Sequence, residues 1–269
     1  MPEYFEVYGR KEPKFQDKNP YTFGFGKPEA QVWEVMNENP ERMKAFMQSM
    51  NTLETHLPIA GMYDFSWVAK VAQDEPERIL FVDVGGGRGQ AIKSISKENP
   101  ELPRERFVLQ DRADVIEEVN NIDAEDMRGA RTMVHDFNEA QPVKGKNPLE
   151  HTRAQTDNPQ GALIYWIRRC LHDYSDDIDT NILKHLADAM APDSKVLIVE
   201  QIASNPPSPL SAYTDICMIT IGGKERTLKN FEQLVERAGL KFVKLWPSKN
   251  SAVGVIECVK AWNGRLFLE

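Results

Sequence analysis

From Ile79 onward the chain alternates short β-branched runs with longer amphipathic stretches, and this alternation restricts the fold more than any other feature. The runs are ILFVDV, FVLQ, TMVH, ALIYWI and KVLIVE, and the segments over 88–98, 113–120 and 178–190 between them carry helical apolar spacing. Strands apolar on both faces need helices over both faces, which is the arrangement of βα units on a parallel sheet. A further helix is predicted over 227–238, with Thr227 as N-cap and Gly239 as C-cap. After it come KFVKLW and AVGVIECVK, joined through SKNSA, a connection too short for a crossover helix, so this pair is an antiparallel hairpin. The expected class is α/β: a mostly parallel Rossmann-like domain over 76–269 with an antiparallel C-terminal hairpin, preceded by a helical segment over 1–75 on the substrate-pocket side.

The segment over 1–75 has a different texture. EAQVWEVMNENPERMKAFMQSMNTL places Val32, Met36, Met43, Phe46, Met47 and Met50 at spacings near three and four, interrupted at Pro40, and so predicts helical packing material. A stripe of methionine and aromatic residues is core first, and a pocket wall for bulky apolar ligands second. The polar stretch KGKNPLEHTRAQTDNPQ, residues 144–160, reads as a mobile surface loop, with a lid as the alternative.

Composition narrows the function. A chain of 269 residues, 41% of them apolar, can bury a real core. Its net charge of -8 and pI near 5.3 argue against a nucleic-acid partner, which calls for a basic stripe. No apolar run approaches the roughly 20 residues of a membrane helix, and MPEYFEVYGRKEPKF has no signal-like apolar region, so a soluble cytoplasmic protein without membrane partner is expected. Cys170, Cys217 and Cys258 are odd in number and widely spaced, which suggests free thiols. His56, His135, His151 and His185 show no pairing that suggests metal ligands, so no metal site is expected.

The turn after the first strand carries the chemistry. Its spacing is Asp83-x-Gly85-x-Gly87-x-Gly89, with Gly86 inside it, and Gln90 stands where a dinucleotide fingerprint would have its last glycine. A ligand without a pyrophosphate fits better; a bare strand-to-helix turn is the alternative. The second strand ends in Asp111, which can accept both hydroxyls of a ribose or can cap the helix that begins at Ala113. The third ends in His135-Asp136-Phe137, an acceptor and an aromatic edge where an adenine ring can lie.

FVDVGGGRG, FVLQDRADVI, VHDFNEAQPVKG, IRRCLHDYSDD, KVLIVEQI and GGKERTLKNFEQLVERAGL occur in the order found in small-molecule O-methyltransferases of the caffeate and flavonoid type. The wording of the blocks resembles the fungal branch associated with polyketide and other secondary metabolites, and the resemblance spans about 18–260. It implies a class I methyltransferase fold that binds S-adenosyl-L-methionine and releases S-adenosyl-L-homocysteine. Carried over by position, Asp83, Gly85, Gly86, Gly87, Asp111, Arg112, Asp136, Phe137 and Arg168 fall on cofactor contacts, with Arg168 where plant members commonly have lysine. His172 falls on the general base, Glu200 and Glu225 on the acidic residues flanking it, and Asp173 near the substrate.

Such chemistry suits these residue types. The sulfonium methyl is already activated, so the protein must align an in-line attack and help a hydroxyl lose its proton. A phenol, with a pKa of about 10, needs an acceptor such as a neutral imidazole, which neighbouring carboxylates orient. Without the resemblance, LHDYSDD is a strand end followed by a helix capped at Ser175, Glu200 a strand-end charge and GGKERT a turn. Trp33, Met36, Phe46, Met47, Met50, Trp166, Tyr174 and Met218 are candidate walls for an aromatic or polyketide acceptor. The family also has an N-terminal winged-helix domain that makes a domain-swapped dimer; its blocks are not found here, so any homodimer is expected to be weakened. The alternatives to methyl transfer are a pericyclase or dehydratase on the same scaffold, and a form that binds the cofactor without turnover.

Overall fold

The computed structural model describes residues 1–13, 18–122, 124–144 and 161–261, the side chains at 47 and 50–56 excepted. The loop expected over 144–160 therefore lies, apart from Lys144, outside the described residues, as do the side chains of Met47 and Met50 and those of His56 and His151.

Seven strands form one sheet in the order β3-β2-β1-β4-β5-β7-β6. They are β1 Phe81–Val84, β2 Phe107–Asp111, β3 Arg131–Val134, β4 Ile164–Arg168, β5 Lys195–Gln201, β6 Leu240–Pro247 and β7 Val253–Lys260. The first five pair in parallel, and β7 runs antiparallel to both β5 and β6. This is the class I Rossmann-like methyltransferase sheet, with its C-terminal hairpin as the sequence predicts. Alternate residues along each strand build two cores. Val82, Val84, Tyr165, Ile167, Val196 and Ile198 face helices α8 (Asp176–Ala189) and α10 (Leu228–Arg237). Phe81, Leu109, Ile164, Trp166, Leu197 and Val199 face α5 (Ser66–Asp74), α6 (Gln90–Glu98) and α7 (Ala113–Ile122). At α10, Thr227 and Asn230 form a reciprocal capping box, and Gly239, at φ +78°, follows the last turn in the left-handed region.

Before the sheet come α1 (Pro2–Tyr8), α2 (Pro20–Gly24), α3 (Val32–Asn37) and α4 (Pro40–His56). The break between α3 and α4 falls at Pro40, where the ring forbids continuation of the preceding helix. Tyr4, Tyr8 and Phe23 pack ring against ring and tie α1 to α2. Helix α9 (Pro209–Ile221) was not predicted: its sequence is apolar without a helical period, yet Ser208 caps it and Gly222, at φ +94°, ends it. Among the described residues no helix is long and apolar enough to cross a membrane, and no cluster of His, Cys, Asp and Glu could hold a metal ion.

Candidate functional site

The C-terminal ends of β1, β2, β4 and β5 meet where the sheet order reverses, the place where open α/β sheets form a ligand crevice. Three glycines after β1 take the left-handed region, Gly85 at φ +63°, Gly87 at +56° and Gly89 at +74°. Gly86 has another constraint: a Cβ there would lie 2.4 Å from the Asp83 carboxyl carbon. Asp83 is buried beneath the turn with Oδ2 unpartnered. Burial drives its carboxyl up to about 7, Arg168 opposes that and Asp111 adds to it. Asp111 Oδ2 accepts the Gly87 N–H at 2.8 Å, while Oδ1 accepts that of Arg112, also at 2.8 Å. Burial, the largest influence, raises the Asp111 carboxyl, against the pull of these N–H groups.

The second half of the site is the turn after β4. Arg169 has φ +52°, sparsely populated for a residue with a Cβ, and the chain then forms a short 3-10 turn over Leu171–Asp173. Glu200, at the end of β5, holds this turn: its Oε1 accepts the N–H groups of Cys170 at 3.0 Å and Leu171 at 2.9 Å. Its Oε2 faces His172 Nδ1 at 3.8 Å, and Glu225 Oε1 approaches the same nitrogen at 3.5 Å. Asp173 Oδ1 stands 3.7 Å from Nε2. These are ion-pair distances, and Nδ1 has no hydrogen-bond partner. Burial pulls the imidazole pKa down, but Glu200 first, then Asp173 and Glu225, outweigh it and hold it at about 9. The three carboxylates therefore favour the imidazolium form of His172.

A third segment, GGKERT, locks onto that turn. The Lys224 N–H donates to the His172 carbonyl at 2.8 Å, and a Cβ on Gly223 would fall 2.0 Å from the same oxygen. Gly223→Ala must separate the two segments, so a loss on the order of 3 kcal/mol is expected in denaturant melts. A change below about 0.5 kcal/mol would show that the contact is not needed.

Arg226, one residue beyond Glu225, is 1% exposed. Its guanidinium donates to the carbonyls of Leu171 at 2.8 Å and Tyr174 at 2.9 Å and to Asp176 at 2.9 Å. It also makes an ion-pair contact with Asp179 at 2.7 Å. Sequence reasoning missed this residue; its only signal was a charge in a turn, which ordinarily faces water.

The other expected residues fall unequally. Phe137 lies against Gly85, within 3.1 Å of where a Cβ would be, and meets Tyr174 edge to face at 5.7 Å. Asp136 is exposed and holds its own turn through the N–H groups of Asn138. Arg112 is exposed and pairs with Asp114 at 3.0 Å. Arg168 and Asp173 are half-buried at the ends of β4 and its turn, and Met218 is half-buried on α9. Trp166 is a correction: it is fully buried, with its ring against Phe65 and Phe81, and cannot line a substrate pocket. The strand period decides this, because Tyr165 and Ile167 face one core and Trp166 the other.

A model described as an O-methyltransferase domain matches residues 153–241. Methyltransferase cfoD of Aspergillus candidus is 40% identical over 268 residues, 97% of this chain and 62% of that protein. Methyltransferase pynC of Aspergillus niger is 37% identical over 264 residues, 97% of this chain and 68% of that protein. Among solved structures, OxaC with SAH and oxaline bound superposes with a TM-score of 0.78 at 26% identity, over 97% of this chain and 61% of that one. The chain thus spans about 62% of the length of the first of these relatives.

Proposed function

The chain belongs to the fungal family of S-adenosylmethionine-dependent methyltransferases that includes cfoD and pynC, and from that premise we propose that it methylates a small aromatic or polyketide-type molecule on a hydroxyl group, with His172 as general base. One observation carries the reading: the turn that bears His172 is held by Glu200, and the imidazole is approached by Glu225, at the strand ends where the glycine turn and Asp111 also stand.

The residues fit S-adenosylmethionine. Left-handed glycines bring backbone close to a ligand without a Cβ in the way, and Asp111 has the acceptor oxygens a ribose needs. When bound, this cofactor supplies a methyl group activated on a sulfonium, whose positive charge also opposes the imidazolium. Phe137 and Tyr174 offer ring surfaces beside Gly85. Glu200 fixes the backbone of the His172 turn, and the Glu225 carboxylate beside Nδ1 favours a proton on that nitrogen, which leaves Nε2 to take the acceptor's proton. Asp173, nearest Nε2, is the residue in place to orient the acceptor hydroxyl.

Calorimetric titration with S-adenosylmethionine and S-adenosylhomocysteine tests the cofactor half of this reading. Micromolar binding is expected, and Asp111→Ala should weaken it at least about tenfold, as a carboxylate's charged hydrogen bonds are lost. If neither compound binds, the reading fails; if the variant binds as well as the wild type, the ribose assignment does.

A further inference from the structure

A cavity of about 510 Å³ lies between residues 5–13 and the α9 to GGKERT region, and Glu225 forms part of its wall. Because Glu225 also approaches His172, one wall of the cavity borders the catalytic turn. Its volume suits a molecule of a few rings. Phe5, Pro13 and Ile219 give it apolar walls.

The charges around it are not evenly committed. Glu12 pairs with Lys224 at 2.8 Å, a contact that ties the N-terminal segment to the GGKERT turn, and Lys224 also pairs with Asp176 at 2.8 Å. Asp215 accepts the Glu225 N–H at 2.9 Å, and Glu225 faces His172. Arg10 and Lys11, both exposed at the rim, have no side-chain ion pair or hydrogen bond among the described residues. On a chain with a net charge of -8, an anionic molecule is repelled over most of the surface. Here the two uncommitted cations face a cavity in which Glu12 is paired with Lys224 and Glu225 approaches His172 through Oε1, while Glu225 Oε2 has no hydrogen-bond partner.

We propose that this cavity receives the methyl acceptor, and that Arg10 and Lys11 select an acceptor carrying an ionised acid group, separate from the hydroxyl that is methylated, on an apolar body. The proposal rests on the methyltransferase reading. The acid group pairs with the rim cations, the apolar body covers Phe5, Pro13 and Ile219, and the hydroxyl points to the Glu225 and His172 side. Rim cations add modest attraction each and confer discrimination against the uncharged form.

Ferulate and its methyl ester are suitable probes, since they share the apolar body and the phenol and differ in the charge. Both are titrated into the full chain saturated with S-adenosylhomocysteine, whose own binding is measured first. Ferulate is expected to bind at least about fivefold more tightly than the ester, and Arg10→Gln with Lys11→Gln should remove the difference. Charge reversal by Arg10→Glu with Lys11→Glu should make the ester the better ligand, with S-adenosylhomocysteine affinity unchanged in both variants. Equal binding of acid and ester, no binding of either, or a preference that survives both double variants overturns the proposal. Failure of S-adenosylhomocysteine itself to bind would instead overturn the methyltransferase reading.

Discussion

His172→Ala is expected to lower turnover by about a hundred- to ten-thousandfold, the contribution typical of a positioned general base, with cofactor affinity little changed. The separation follows from where the groups stand. The glycine turn and Asp111 are built on β1 and β2, whereas His172 rides on the turn after β4. The pH profile provides a second readout. With its three carboxylate neighbours, His172 has a pKa of about 9, above its ordinary 6.5. Turnover in the wild type should therefore rise with pH as the imidazolium gives up its proton, with a limb moved below 9 by the bound sulfonium. In the alanine variant that limb should vanish. The same shift links to folding: the protonated ring stabilises the native state fully below 6.5, and this is lost as pH rises through 9. Wild type should therefore lose stability over that window relative to His172→Ala. Near-normal turnover in the variant, or a rising limb that persists in it, would remove His172 from the mechanism.

How far the sequence foretells this molecule depends on the kind of information involved. The sheet was legible because its strands carry local signatures: β-branched runs, a capping box at Thr227 and a connection too short for a helix after Pro247. Helix α9 was not legible, since a stretch apolar on every side has no period to read, and its boundaries rest on Ser208 and Gly222 alone. In the site, Gly85, Gly87 and Gly89 could be picked out by spacing because their backbone requirement is local. Trp166 was assigned to a pocket on its size and aromatic character, yet its place in the strand period sends it into the core beside Phe65. Glu200 and Glu225 could be named from the resemblance, but their different tasks could not. That one carboxylate holds two backbone N–H groups while the other stands beside the imidazole depends on two distant segments meeting.

Arg226 shows what such a meeting costs to break, and it carries the largest expected effect on stability. Its side chain is enclosed, and its nitrogens serve the carbonyls of Leu171 and Tyr174, on either side of the His172 turn, together with Asp176 and Asp179 on the first turn of α8. Arg226→Met keeps much of the volume but removes the guanidinium from these groups, leaving the Leu171 carbonyl with only the Tyr174 N–H. Asp176 retains Lys224, whereas Asp179, fully buried, loses its cation. Breaking a buried ion pair from one side costs about 3–5 kcal/mol, so the thermal midpoint should fall by roughly 6–20 °C. Arg226→Lys should recover part of the loss through a single contact with Asp176, though a lysine cannot serve two carbonyls and a carboxylate at once. The functional consequence is specific to positioning. Below the melting transition, turnover should drop in both variants while S-adenosylhomocysteine binding persists, because no Arg226 contact reaches the glycine turn. A methionine variant that melts within about 2 °C of the wild type would mean that the turn is held by Glu200 and the Lys224 N–H alone.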